Sequence, residues 1–189
     1  MNWIINETDY LDNMPFNLKE IKDKETTQKF IHPDEFQVIL EATMKYERPY
    51  WTYSNEFFCS LWKLYKSTGM RLSEIYTLEI TGDFLHITGK RDRTRIVPIQ
   101  EEIQHLWDNI LPNLDIDHLT ISKHFSKICR SLGYKYTLHH LRHTFACEML
   151  AKHDGNIWKV SELLGHSNLT TTQRYLKSFP LAYLKQIFT

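Results

Sequence analysis

The sequence predicts an α+β domain, mainly α-helical, with one small three-stranded antiparallel sheet. Three observations predict it. Apolar residues recur at helical spacing over most of the chain, in runs that open on capping residues or close on glycines. Three short alternating segments near the middle, LEI, DFLHIT and TRIVPI, are separated by the turn strings TGD and GKRDR. At 189 residues, 42% hydrophobic and 24% charged, the chain is long enough to bury one real core and too apolar to be disordered.

The elements follow in order. Residues 1–25 alternate acidic and apolar groups around Pro15 without a period, and read as an N-terminal arm or linker. HPDEFQVILEATMK has a Pro-Asp-Glu start and carries Phe36, Ile39, Leu40 and Met44 at helical spacing. A second helix, roughly Glu56 to Ser67, ends at Gly69, and Arg71 heads a further helix, RLSEIYTL. The sheet comes next, with a basic hairpin tip at Lys90 to Arg95. IQHLWDNIL is helical. KHFSKICRSLG extends a stripe of Ile121, Phe125, Ile128 and Leu132 that stops at Gly133. Thr137 caps LHHLRHTFACEMLAK, Gly155 breaks it, and NIWKVSELLG runs to Gly165. Ser167 caps a short helix carrying Tyr175, and Ser178 opens a tail with Leu181, Leu184 and Ile187 on one side. Trp51, Trp62, Trp107 and Trp158 lie on or near apolar stripes and are expected in the core.

Composition narrows the function classes. The longest apolar runs, such as Ile103 to Leu111, are far too short to cross a bilayer. The opening MNWIINETDY lacks the basic and apolar regions of a secretory signal. Cys59, Cys129 and Cys147 are widely spaced and form no CxxC pair, which fits buried thiols in a reducing cytoplasm. The net charge is zero but unevenly spread. Residues 1–119 hold 13 Lys or Arg against 20 Asp or Glu, whereas residues 120–189 hold 10 against 3 and six of the ten histidines. An acidic first part therefore carries a basic last third, a modest pointer to an anionic partner.

Within this frame Arg71, Lys90, His139 with Arg142, His166 and Tyr175 recur in order, each inside its own string: TGMRLSE, TGKRDRTRIVPI, LHHLRHTFA and LLGHSNLTTTQRY. A group so cationic needs an anion to surround, and the phenol needs an electrophile to attack. A nucleic-acid phosphodiester meets both demands. Guanidiniums grip two phosphate oxygens at once, so Arg71 and Arg142 suit the non-bridging oxygens. Losing one such preorganised donor typically costs about 3–4 kcal/mol of transition-state stabilisation. Tyr175 is a weak nucleophile at a pKa near ~10, and a cationic pocket favours its phenolate. His139 is the candidate base or proton relay because imidazole titrates near neutrality. Lys90, on a hairpin, suits protonation of a leaving 5′ oxygen. His166 suits a hydrogen bond to the phosphate.

These strings, from about Ile31 to Tyr175, resemble the tyrosine recombinases, the phage-integrase family. Arg71 matches the first motif arginine and Glu74 the acidic residue three positions later. Lys90 matches the hairpin lysine, His139 and Arg142 the His-x-x-Arg box, His166 the position held by His or Trp, and Tyr175 the nucleophile. His143 matches the histidine after the arginine and, with Glu74, is given a supporting part. Arg91, Arg93 and Arg95 are expected to meet DNA. The resemblance implies an integrase-like DNA breaking-rejoining fold at 26–178 and site-specific recombination through a 3′-phosphotyrosyl intermediate. No cofactor, metal or ATP is implied, since the protein cations do a metal's work and the covalent link keeps the phosphodiester energy. The implied partners are double-stranded DNA attachment sites, a homo-tetramer on synapsed DNA that is weakly associated or monomeric without it, and accessory DNA-bending or directionality proteins, with no membrane. The helix at 179–189 packs in its own domain or on a neighbouring protomer. The family's N-terminal core-binding domain is not in this chain, which is then a fragment or a short recombinase.

Taken singly, each residue has a plainer reading: a surface arginine, a solvated turn, a packed tyrosine. Their joint order reverses that. His139, His143 and Cys147 also share one helical face at metal-ligand spacing, but no HExxH glutamate accompanies them. A non-enzymatic DNA-binding descendant and a type IB topoisomerase-like activity are the remaining rivals.

Overall fold

The computed structural model describes residues 30–47, 53–89, 93–98, 101–110, 114–166 and 168–176; the side chains of 101–104 and 174–176 lie outside that description. The arm at 1–25, the tail at 179–189, Trp51, Lys90, Arg91, Asp92 and Ser167 are therefore outside the described residues.

Helix α1 (Pro33–Met44) starts where Pro33 presets the first turn and Glu35 accepts the His32 backbone N–H at 3.0 Å. It buries Phe36, Ile39, Leu40 and Thr43. Met44, expected on that stripe, is 45% exposed; Thr43 takes the inward position by donating its hydroxyl to the Ile39 carbonyl. Helix α2 (Asn55–Thr68) is capped by Ser54, whose Oγ accepts from Phe57 N–H, and ends at Gly69 in the left-handed conformation. The helix expected after Arg71 is a 3-10 helix (Leu72–Thr77). Glu74 N–H bonds the Arg71 carbonyl at 2.9 Å, three residues back, and the turn ends where Leu78 extends into the sheet.

Strands β1 (Leu78–Thr81), β2 (Phe84–Thr88) and β3 (Thr94–Pro98) form the antiparallel sheet in the order β1-β2-β3. Leu78 pairs with Ile87, Leu85 with Val97 and Ile87 with Arg95. Leu78, Leu85, Ile87 and Val97 face the core, while Phe84 and Ile96 are exposed. Helix α3 (Glu101–Ile110) buries Trp107 and Ile110. Helix α4 (His118–Ser131) is capped by Asp117 and, as expected, stopped before Gly133.

Helix α5 (Leu138–Lys152) runs through the middle, and every residue from Leu141 to Cys147 is buried. Helix α6 (Ile157–Leu164), capped by Asn156, ends at Gly165 with φ 63°. Helix α7 (Leu169–Leu176) carries Tyr175. Asn168, next to the expected cap Ser167, accepts the Thr170 N–H at 2.9 Å.

Two cores result. The larger joins α1 to α4, the sheet and the start of α5, around Trp62, Phe58 and Phe125. The smaller holds Phe145, Ala146 and Leu150 of α5 against Ile157, Val160 and Leu164 of α6, with Leu169 beside them. Trp62 and Trp107 are buried as expected. Trp158 is not: it is 72% exposed, because Ile157, Val160, Ser161 and Leu164 turn the opposite face of α6 inward. Among the described residues, no helix is long and apolar enough to cross a membrane.

Candidate active site

Three segments distant in sequence meet at one cleft of about 470 Å³. Arg71, His139 and Arg142 line it together with Tyr65, Met70 and Leu138. Arg71 stands at the start of the 3-10 helix with 36% of its side chain exposed, so its guanidinium reaches solvent from an ordered base. That base is Glu74, itself 2% exposed. Its Oε1 accepts from Arg71 Nη1 at 2.7 Å, and its Oε2 from the Arg71 backbone N–H at 2.7 Å. Glu74 thus holds both the backbone and the guanidinium of Arg71.

Arg142 is almost fully buried on α5. Its Nη1 donates to the Gly69 carbonyl at 2.5 Å and its Nη2 to the Leu164 carbonyl at 2.6 Å. Two helix C-termini, those of α2 and α6, thus offer their free carbonyls to one guanidinium, where the backbone dipole favours a cation. Gly69 permits the approach: a Cβ there would lie 2.2 Å from the Phe145 ring.

His166 follows the left-handed turn at Gly165. Its Nε2 lies 2.9 Å from Arg142 Nη2 and its Nδ1 2.8 Å from Thr172 Oγ1. A guanidinium only donates, so Nε2 carries the lone pair and the proton sits on Nδ1, which donates to Thr172. Burial, then the charges of Arg142, Arg71 and Arg95, pushes the imidazole down to about 3, with Glu74 acting weakly in the opposite sense. The ring is neutral near pH 7. In this arrangement Nε2 is an acceptor for Arg142.

His139 is exposed at the cleft rim, and its ring meets the buried His143 edge-on, with centroids 4.9 Å apart. His140 turns away. Its Nδ1 accepts the Thr137 backbone N–H at 3.0 Å and completes the start of α5.

The basic hairpin divides. Arg93 is exposed, and its carbonyl closes the hairpin by accepting from Gly89 N–H at 2.9 Å. Arg95, expected to meet DNA at the tip, is instead an inward residue of β3 with 6% of its side chain exposed. Its Nη2 donates to Glu74 Oε2 at 2.7 Å. Period-two alternation puts it on the same face as buried Val97, so it is withheld from any surface contact. Lys90 and Arg91 lie outside the described residues, and Tyr175 is placed by its helix backbone alone.

Sequence reasoning missed Thr172, which is fully buried one helical turn before Tyr175, and the carbonyls of Gly69 and Leu164. The repeated threonines of NLTTTQRY were the only hint of the first. Among the described residues, no group of three His, Cys, Asp or Glu side chains could hold a metal ion.

Comparison with known proteins places this geometry. A tyrosine recombinase of Pseudothermotoga lettingae is 33% identical over 168 residues, covering 78% of this chain and 55% of that protein. Tyrosine recombinase XerC of Rickettsia canadensis is 27% identical over 199 residues, covering 92% of this chain and 63% of its own. The chain spans about half the length of the curated relatives it matches. Among solved structures, XerA recombinase superposes with a TM-score of 0.65 at 22% identity, over 84% of this chain and 63% of that one. The catalytic domain of bacteriophage HP1 integrase gives 0.58 at 23% identity, over 83% and 91%. These likenesses show the expected fold. The model of the phage integrase family matches residues 29–181, and the chain belongs to that family.

Proposed function

We propose that this domain cuts and rejoins double-stranded DNA at specific sites through a 3′-phosphotyrosyl intermediate, as a tyrosine-type recombinase. The observation that carries the reading is the convergence of Arg71, His139 and Arg142 on one cleft, with His166 bonded to Arg142. In the proposed step the Tyr175 oxygen bonds to phosphorus and the bond to the 5′ oxygen breaks. His139 takes the phenol proton, and Lys90 supplies one to the leaving oxygen. Arg71 and Arg142 hold the non-bridging oxygens as charge builds there. His166 acts as the acceptor that orients Arg142. A hydroxyl from a second strand then reverses the attack and frees Tyr175.

Several findings support DNA as the substrate. The last third of the chain is basic. XerH, which shares the fold at a TM-score of 0.64 and 21% identity, was solved bound to its palindromic difH substrate after cleavage. The Tn1549 integrase was solved with transposon right-end DNA. Attachment sites as targets, a tetramer on synapsed DNA and accessory bending proteins belong to the same proposal, as do the 26–178 catalytic boundary and an exposed Arg93 on the DNA side.

Covalent trapping tests the reading. Protein mixed with a labelled, nicked DNA library in EDTA is expected to give a denaturation-resistant adduct that the Tyr175→Phe variant does not form. Sequencing the trapped DNA gives the target. Native-gel binding without any adduct from the unaltered protein would instead favour a non-enzymatic DNA-binding domain.

A further inference from the structure

We infer that Arg95 is a positioning residue of this cleft: it offsets the Glu74 carboxylate that anchors Arg71, so that Arg71 keeps its charge for the substrate. The inference rests on the reading that Arg71 engages the scissile phosphate. Glu74 holds Arg71 through two bonds of 2.7 Å, which fixes its direction but also neutralises it. A carboxylate and a guanidinium this close present a pair of zero net charge to anything beyond them, and their field falls off steeply. The second guanidinium, on the other oxygen at 2.7 Å, leaves the trio with one net positive charge.

The placement of Arg95 fits that work better than it fits stability. It sits opposite Ile87 on the core face of the sheet, where an apolar residue would bury without cost. Its Nε is buried with no hydrogen-bond partner among the described residues, so the site retains a charge while leaving a donor unsatisfied. A Cβ on Gly165 would lie 3.4 Å from Arg95 Cδ and 3.5 Å from its Nη1. The side chain is thus held between Glu74 and the turn that leads into His166. Gly89, the residue before Lys90, rests on the same trio: a Cβ there would lie 3.1 Å from Glu74 Oε1. Arg71, the hairpin and the His166 turn therefore share one electrostatic joint, with Arg95 at its back.

A charge-compensation cycle on the full chain tests this, reading the rate of adduct formation on trapped nicked DNA beside thermal midpoints. Arg95→Met is expected to slow the adduct by on the order of tenfold to a hundredfold, less than or similar to loss of a direct donor. Arg95→Lys is expected to recover part of the loss. Adding Glu74→Gln to Arg95→Met restores the net charge and is expected to raise the rate above that of Arg95→Met alone when both are compared well below their thermal midpoints. A gain that merely follows the midpoint marks a purely structural part for Arg95. A rate for Arg95→Met equal to the unaltered protein, or a double variant slower than it, overturns the inference. If Arg95→Met does not fold, the cycle is run on the equally neutral Arg95→Gln, and the absence of any gain from adding Glu74→Gln is the overturning result. If the unaltered protein forms no adduct, the proposed function fails instead. Arg95 is then judged by NMR titration with inorganic phosphate, where the Arg71 guanidinium signal of Arg95→Met must saturate at higher phosphate; equal affinities sink the inference.

Discussion

Arg142 Nη2 stands 2.9 Å from His166 Nε2, and the two groups fix each other's state. The guanidinium can only donate, so the imidazole must be neutral and must hold its proton on Nδ1. Thr172 Oγ1, 2.8 Å away, accepts the hydrogen bond from that N–H. A chain of bonds thereby runs from the buried Arg142 to the helix that bears Tyr175.

Removing the Thr172 hydroxyl cuts that chain. Thr172→Val leaves a buried donor without an acceptor and is expected to cost about 1–3 kcal/mol of stability. Adduct formation should fall as well, because α7 loses its tie to His166, and Thr172→Ser should restore both. Denaturant titration gives the first quantity. Long-range proton–nitrogen NMR reads the tautomer, which Arg142 should hold on Nδ1 in both variants.

Gly69 serves three needs at once: a left-handed backbone, contact with Phe145 and a carbonyl for Arg142. Gly69→Ala is expected to destabilise the protein by about 2–4 kcal/mol, combining backbone strain with overpacking. The cleavage rate should fall even in the fraction that stays folded. Calorimetry and the trapping assay, run on the same preparation, check the pair of outcomes.

Acid should act on two groups in different windows. Folding holds His166 down to about 3 from an ordinary 6.5, so the unfolded chain binds the proton first and stability declines as pH falls through that interval. Burial opposes the charge on Glu74, but Arg95 and Arg71 overcome it and hold the carboxyl below its ordinary 4.5. Its contribution is intact above 4.5 and is lost as pH falls through the folded value. Denaturation midpoints between pH 7 and about pH 3 should therefore slope less for His166→Asn than for the unaltered protein. Glu74→Gln should flatten only the lowest part of the curve.

The cysteines should resist modification. Burial pushes the thiols of Cys129 and Cys147 up to about 12, and neither is accessible. Mass spectrometry after alkylation at pH 8 should find both unmodified in the native protein and labelled in denaturant, since the thiolate is the reactive form. Rapid labelling of either in the native state would contradict this packing.

Much of the fold is legible because its boundaries are marked by local chemistry. Pro33 with Glu35 starts one helix, and Gly69, Gly133 and Gly165 stop three others. The order of Arg71, His139, Arg142 and His166 is legible because each sits in a distinctive string. The side-chain roles are not. Ile96 and Val97 are adjacent and both apolar, so alternation alone does not give the phase of β3, and Arg95 reads as a surface residue. Glu74 meets a strand residue 21 positions away, a pairing that no local pattern encodes. Trp158 reads as core although the inward set Ile157, Val160 and Leu164 already fills the face that α6 can bury. The bonds from Arg142 to two carbonyls are invisible to any reading of side-chain types.

Helix α5 is a member of both cores. Its first turns belong to the large cluster, while Phe145, Ala146 and Leu150 belong to the small one that seats α6 and neighbours α7. The two halves of the site therefore differ in what it takes to release them. Separating Arg71 and His139 requires melting the main body of the domain, whereas letting go of the Tyr175 helix requires opening only the minor cluster, by a smaller sub-global excursion. Amide exchange should accordingly run faster through α6 and α7 than through α2 and α4, and the helix that bears Tyr175 is the segment that the rest of the domain can most readily release.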